Sequence, residues 1–331
     1  MKRAAICTLI PLFFVAACSG TDNSFSDENE PPPQPIGLAI DADNAMAVAS
    51  AAYGAAVDSG ELAGLAGTTG LGAAKTTGPS KPQAQSQANG LLNRIVQKVP
   101  LGTDEYECLS SGTVAITIDV VDPLVLAGGA LSVGDNFLVV YTNCDDGAGE
   151  IVDGTIDMTV SAFAGDVFSG LYDMTMAMVV TTLQVTTSTD VLTSDGDAAA
   201  RLNLLDLPYA EATVSGNTMT MDSNSSSDTL TDYSSMQTVD AGPVEPPYTM
   251  TTQGTLTTTR LSGSIDYSTP VMFAGVGSNY PHTGEFLVAG ENSSVRLVVD
   301  NDVDVHIDID SNGDGVIDQT IVTTWAELTS M

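Results

Sequence analysis

The alternation of apolar and polar residues in the C-terminal part of the chain limits its fold most strongly. Apolar residues occupy every second position in about a dozen segments between residues 101 and 331, most clearly at 113–120, 155–162 and 172–180. A period of two places apolar side chains on one face of a β-strand and polar side chains on the other. The pattern predicts one mainly β domain over 101–331, a large twisted antiparallel β-sheet arranged as a sandwich or an open barrel.

Glycines and large apolar residues add detail to this prediction. Four glycines follow a polar residue and precede a hydroxyl residue and an aliphatic one: Gly112, Gly154, Gly254 and Gly263. A glycine within or at the start of a strand permits a bulge or a bend, so the motif predicts a curved sheet. The methionines of 174–178 share the spacing of a buried face, which favours a core role over a ligand site. Trp325 is expected to anchor the last strand in the core.

The region before residue 101 has a different composition. Residues 18–40 are predicted to form a disordered tether, because 19–35 are polar, acidic and proline-rich at their end. Residues 41–100 are predicted to be short helices and low-complexity chain, with Gly, Ala, Thr, Pro and Ser dominating 60–82. A second helix is expected between Pro82 and Pro100. The apolar stripes of the two helices are Met46, Ala49, Tyr53 and Val57, and Leu91, Leu92, Ile95 and Val99.

The N-terminal segment has the features of an export signal. Lys2 and Arg3 precede an apolar run over Ala4–Ala17, which ends in Val-Ala-Ala before Cys18. The run is too short for a bilayer span of about 20 residues and fits a signal peptide over residues 1–17. With Cys18 it resembles the lipobox of Gram-negative bacterial lipoproteins. The resemblance implies cleavage before Cys18 and lipidation of its thiol; an ordinary signal peptide with an incidental cysteine is the alternative.

Charge and the residue after Cys18 bear on location and partners. The formal net charge is −33, which excludes nucleic acid as a partner and leaves the lipid, not a basic patch, to hold the chain at a membrane. Such a surface serves solubility or binds multivalent cations. Lipoproteins retained at the inner membrane carry aspartate after the lipidated cysteine, whereas this chain has Ser19. The resemblance therefore implies an outer-membrane, lipid-anchored protein, on either the periplasmic face or the cell surface, with no protein or glycan partner identified.

The cysteines of the chain predict one disulfide bond. There are four: Cys7, Cys18, Cys108 and Cys144. Cys7 leaves with the signal peptide and Cys18 would carry lipid, so one pair remains in an oxidising compartment where disulfides persist. We therefore predict a Cys108–Cys144 disulfide; two separate buried thiols are the alternative.

An acidic motif over residues 308–318 resembles a calcium-binding loop. Its spacing is similar to that of EF-hand loops, in which alternate residues direct oxygens at one Ca²⁺ ion. The resemblance assigns side-chain ligands to Asp310, Asn312 and Asp314, the turn to Gly315, a carbonyl ligand to Val316 and a later ligand to Asp318.

The motif departs from the EF-hand pattern in two ways, and the second places it at the tip of a β-hairpin. Ile321 stands where EF-hands have a bidentate glutamate, and the flanking segments alternate as strands do. The motif is therefore more similar to the helix-free loops of thrombospondin type 3 repeats. Asp308, on the same strand face as Asp310, is expected to supply a further oxygen. The alternative is a metal-free hairpin that turns at Asn312-Gly313.

Other polar residues do not define a catalytic site. The acidic groups at 145–153, 195–197 and 300–304 are interpreted as hairpin turns. The chain has two histidines, His282 and His306, and no nucleophile elbow, zinc pattern or phosphate loop. We therefore expect a non-enzymatic lipoprotein with a structural or binding role and a Ca²⁺-binding loop. The alternatives are a periplasmic carrier of an apolar ligand or lipid, a polysaccharide-acting hydrolase with two carboxylates, and an adhesin.

Overall fold

Antiparallel strands make up most of the fold. The computed structural model describes residues 37–68, 102–145, 150–240, 242–277 and 279–330. The helices within these residues are α1 (Ala45–Thr68), α2 (Pro123–Ala127) and α3 (Trp325–Leu328). The strands are β1 (Gly102–Glu107), β2 (Ser111–Asp119), β3 (Asn136–Asp145), β4 (Ile151–Asp166), β5 (Leu171–Thr186), β6 (Val191–Asn203), β7 (Tyr209–Asp222), β8 (Ser227–Asp240), β9 (Pro247–Thr258), β10 (Ser264–Val276), β11 (Thr283–Gly290), β12 (Ser293–Val299), β13 (Asp304–Asp310) and β14 (Gln319–Thr324).

The strands form one open sheet in chain order. Each strand pairs with the next from β1 to β14, and among the described strands β1 and β14 do not pair with each other. The predicted mainly β fold with a large antiparallel sheet is confirmed. Because successive connections alternate between the two ends of such a sheet, the β13–β14 loop shares its end with the β9–β10 and β11–β12 turns.

The alternating apolar residues form the buried face. Met174, Met176 and Met178 are at most 4% exposed, and Met178 lies opposite Met158 on β4. Trp325, which begins α3 directly after β14, is fully buried. The core roles expected of these residues are therefore confirmed.

Helix α1 lies in the core of the sheet, whereas the sequence suggested a separate N-terminal region. It packs against β6–β9 and β11–β13, so the sheet curves around it. Between Ala45 and Ala56 the helix has buried residues on almost every side. A helix that is apolar all round must be buried, and alanines let neighbouring strands approach closely. The helix also continues to Thr68, into the segment assigned to low-complexity chain.

The chain joins the fold before the boundary assigned to the tether. Leu38 and Ile40 are buried; the Leu38 amide donates to the Ser264 carbonyl and the Ile40 amide to Ser293 Oγ. Residues 37–40 therefore belong to the folded part, because their apolar side chains extend the core. The signal peptide, Cys18 and the second helix expected between Pro82 and Pro100 lie outside the described residues.

Bulges bend the strands where the glycine motif predicts curvature. The register shifts across Gly112 in β2 and Gly154 in β4. A side chain at Gly154 would meet the Thr182 carbonyl oxygen, because the neighbouring bulge approaches closely. A further shift between Val160 and Ala162 moves Ala162 to the exposed face, although simple alternation assigned it to the buried one. One extra residue reverses the facing of those that follow it.

Candidate functional site

The β13–β14 hairpin positions the acidic loop. Val305, Ile307 and Ile309 are buried on the inner face, which fixes the facing and register of β13. The strands pair without a shift up to Ile309–Gln319, and residues 311–318 form the exposed connection. Asp310, the last residue of β13, therefore lies at the base of the loop.

The Asp310 carboxylate organises the loop. Asp310 is only 6% exposed; its Oδ1 accepts from the Gly313 amide at 2.7 Å, and its Oδ2 from the Gly315 amide at 2.8 Å. Gly313 and Gly315 have φ of +71° and +81°, values that favour glycine. The chain thus turns tightly around a buried carboxylate.

The other loop residues that the calcium resemblance assigns lie in the same turn. Asn312 Oδ1 accepts from the Asp314 amide at 2.9 Å, and Asp314 Oδ1 accepts from the Val316 amide at 2.8 Å. Both the hydroxyl and the amide of Ser311 donate to Asp318 Oδ2, at 2.6 and 2.9 Å. These two hydrogen bonds, the hydroxyl first, lower the pKa of the Asp318 carboxyl.

Asp308, from which a further loop oxygen is expected, lies within β13, before this turn. Its Oδ1 accepts from Thr320 Oγ1 at 2.6 Å across the hairpin, and its Oδ2 lies 3.8 Å from His306 Nε2. His306 Nδ1 is also 3.0 Å from the Asp300 carboxylate. Asp308 therefore belongs to a surface cluster with His306, because its strand position directs it towards its cross-strand neighbour.

The donor set of the loop fits calcium in chemical type. Ca²⁺ takes six to eight oxygen ligands from carboxylates, amides, backbone carbonyls and water. The loop offers the carboxylates of Asp310, Asp314 and Asp318, the Asn312 amide and the Val316 carbonyl. Among the described residues, no group of three or more His, Cys, Asp or Glu side chains is arranged to hold a metal ion. A bound ion would therefore depend on the amide and carbonyl oxygens as well as on the carboxylates.

The predicted disulfide bond is confirmed. Cys108 and Cys144 are bonded, with their Cα atoms 5.5 Å apart. The bond ties the chain after β1 to the end of β3, and Cys144 is buried. The alternative of two separate buried thiols is therefore wrong.

One of the three acidic groups that were interpreted as hairpin turns is not in a turn. Residues 195–197 lie within β6 and not in a hairpin turn. Asp195 Oδ1 accepts from the Thr182 amide at 2.6 Å, and Asp197 Oδ2 accepts from Asn217 Nδ2 at 3.0 Å. These carboxylates satisfy polar groups at strand bulges, so short-range composition alone could not separate them from turn residues.

Two surface features were missed by the sequence interpretation. Where the β9–β10 pairing is interrupted, a groove of about 150 Å³ is lined mostly by serine and threonine residues, including Ser235, Thr252 and Thr269. At the end of the sheet opposite the acidic loop, large apolar side chains are exposed on adjoining connections and at the start of β7: Leu124, Val133, Phe168, Leu205 and Tyr209. We call this second set the apolar rim. Its only sequence signal is the presence of apolar residues in or directly beside connections.

Comparisons with protein-family models, curated proteins and solved structures give no match for this chain. Within the described residues, no helix has both the length and the apolar character needed to cross a membrane. The functional proposal therefore depends on the chemistry of the residues themselves.

Proposed function

We propose that this protein is a lipid-anchored envelope protein with a structural or binding role. The observation that carries the proposal is the Cys108–Cys144 disulfide, which uses both cysteines that follow Cys18. Disulfides persist in oxidising compartments and are rare in the cytosol. Cys18 would then be the unpaired thiol of the processed chain, in the sequence context of a lipobox. An outer-membrane location follows from Ser19 as part of the same proposal.

The anchor is tested by replacing Cys18. Cells that express the Cys18→Ser protein and take up labelled fatty acid should show no label in this chain and no processing at residue 18. The Cys7→Ser protein is the matched control, because it loses a thiol from the same segment and should stay labelled. Fatty-acid label in the Cys18→Ser protein would contradict the proposal, whereas loss of label in both variants would indicate a general export defect.

The packing of the interior favours a binding or structural role over transport of an apolar ligand. A carrier on this sheet would hold its ligand on the concave face, where α1 and its aromatic contacts lie. Tyr53 packs against Phe273, Phe286 and Trp325, with ring centroids 4.9 to 6.2 Å apart. The apolar rim supports binding, because large exposed apolar patches often mark interaction sites.

We further propose that the loop of Asp310, Asn312, Asp314, Val316 and Asp318 binds Ca²⁺. Its support is the tight turn around Asp310, which gathers oxygen donors into one short loop. Bound calcium would replace repulsion between the carboxylates with attraction and would stabilise the folded protein by mass action. The expected affinity is of the extracellular class, about 10⁻⁴–10⁻³ M.

Calcium binding is tested by thermal unfolding in millimolar calcium and in chelator. Calcium should raise the unfolding midpoint of the wild-type protein and should have less effect on Asp314→Asn, in which the amide oxygen can still accept from Val316. Asp302→Asn makes the same charge change in the exposed β12–β13 turn and should respond like the wild type. An equal response of wild type and Asp314→Asn would reject the loop as the calcium site.

A further inference from the structure

Within the part of the chain that the structure describes, the β14 edge of the sheet lacks the features that normally prevent edge pairing. Its residues, Gln319–Thr324, include no charge and no proline, and its register with β13 runs without a bulge. Edge strands usually carry charged side chains, proline or bulges, or are covered by another element. Among the described strands, only β13 pairs with β14.

The opposite edge of the sheet is different. β1 places three carboxylates within six residues: Asp104, Glu105 and Glu107. Charged side chains on an edge strand oppose pairing with a further strand. The two edges of one sheet thus differ in protection, which singles out β14.

Hydrogen bonding within the hairpin shows which backbone groups of β14 point outwards. The Trp325 amide donates to the Val303 carbonyl at 3.0 Å, next to the Asp304–Thr324 pair. In an antiparallel ladder this makes Asp304–Thr324 a pair without mutual hydrogen bonds, and such pairs alternate along the strands. The N–H and C=O groups of Thr320 and Val322 therefore point away from β13, towards the free edge.

The side chain of Val322 also favours a further strand. It is 77% exposed on the outer face, which makes it the most exposed large apolar residue within any described strand. A strand added beside β14 would place a side chain next to Val322 and cover part of it. Backbone pairing and apolar contact would thus occur at the same residue.

Charge near the edge identifies the kind of strand that fits. Asp304 and Asp308 lie on the neighbouring strand, Asp318 precedes β14 and Glu327 follows it. The chain as a whole has a formal charge of −33, so a second copy would be repelled at long range and a basic segment attracted. We propose that β14 binds an extended basic segment of a partner protein, which adds a strand to the sheet through backbone hydrogen bonds. The proposal does not depend on the lipid anchor or on calcium.

The test uses the detergent-solubilised full chain and a fluorescent synthetic peptide in which lysine and valine alternate. Val322→Pro removes an outward N–H that β13 does not use, so the variant should fold and bind the peptide at least about tenfold more weakly. Glu105→Pro is the matched control. The Cys108 amide donates to the Gly112 carbonyl, so Cys108 and Gly112 form a hydrogen-bonded pair, and by alternation Glu105 and Ala115 form a pair without mutual hydrogen bonds. The Glu105 N–H therefore points to the free edge of β1. This control should bind like the wild type, and unfolding midpoints establish that both variants are folded.

Other outcomes would overturn the proposal. These are peptide binding that is unchanged in Val322→Pro, equal losses in both proline variants, or no peptide binding by the wild type. Wild-type dimers that Val322→Pro abolishes in sedimentation experiments would show that the edge serves a second copy instead. If Val322→Pro does not fold, Val322→Lys keeps the N–H but adds a repelling charge and should weaken binding, as should N-methylation of alternate peptide amides. Unchanged affinity in both of these tests would refute the proposal.

Discussion

Replacing Tyr53 tests whether α1 is part of the sheet's core. The side chain is 5% exposed, and its ring lies 4.9 Å from Trp325 and 5.9 Å from Phe273, centroid to centroid. A buried aromatic side chain removes roughly 150–250 Å² from water, worth about 4–6 kcal/mol at 25 cal/mol per Å² as an upper bound. Measured truncations of buried aromatics to alanine cost about 3–5 kcal/mol. We expect Tyr53→Ala to lower the free energy of unfolding by about 3–5 kcal/mol. This is a large share of the total free energy of unfolding of a typical protein, about 5–15 kcal/mol.

The loss is measured by denaturant unfolding, with the disulfide intact. Trp325 is the only tryptophan and is fully buried, so its fluorescence reports on the same cluster. Tyr209→Ala is the matched control, because Tyr209 is 64% exposed and its truncation should change stability by less than about 0.5 kcal/mol. If Tyr53→Ala were no more destabilising than Tyr209→Ala, α1 would not belong to the core, and the separate helical region suggested by sequence would be the better description.

Three further predictions concern stability. Replacing both cysteines of the Cys108–Cys144 disulfide by serine should cost about 4 kcal/mol for a loop of 36 residues, and reduction of the wild type should lower its denaturation midpoint to the same value. Gly54→Ala should stabilise the protein by about 1 kcal/mol, because nothing lies near the added carbon in α1. Gly154→Ala should destabilise it by more than about 1 kcal/mol, because the φ of Gly154 is +121° and the Thr182 carbonyl blocks a side chain there. Equal effects of the two substitutions in denaturant unfolding would contradict this. Ser311→Ala should remove a hydrogen bond that lowers the pKa of Asp318, so the stability loss relative to the wild type should be largest above the ordinary aspartate pKa of about 3.9 and should shrink as the pH falls through the lowered pKa of Asp318. A stability difference in thermal unfolding that is constant from pH 2 to pH 7 would show that the bond to ionised Asp318 is not its cause.

The alternation of apolar and polar residues predicted most of the strands, but the sequence did not predict where α1 lies. Alternation identifies strands because successive side chains of a strand point to opposite faces, which can be read from neighbouring residues. The apolar stripe of α1 gave a helix correctly, yet its alanines occupy nearly all sides, which a stripe of four positions does not reveal. The contacts of Tyr53 with Phe273 and Trp325 join residues more than two hundred positions apart. Such contacts depend on how the completed sheet curves, which no local window contains.

In the candidate site too, local spacing predicted the residues of the turn, whereas contacts across the hairpin could not be predicted from it. Asp310, Asn312, Asp314 and Asp318 were placed in one turn correctly, because their spacing is local and the glycines fix the backbone. Asp308 was added to these expected calcium ligands only because it shares a strand face with Asp310. Its actual partner is Thr320, and that pairing follows from the register of the hairpin.

The first described residues of the chain pack at the same end of the sheet as the proposed calcium loop. The Glu291 amide donates to the Leu38 carbonyl at 2.8 Å, so the entering chain lies against the β11–β12 turn. A side chain at Gly313 would meet Asn292 in that same turn, so the acidic loop lies there too. Residues 37–40 therefore lie at the end of the sheet that carries the acidic loop, while the apolar rim lies at the other end. Calcium bound by the loop, as proposed above, would neutralise carboxylates at the end of the sheet where residues 37–40 pack, and would leave the apolar rim at the opposite end free for a partner.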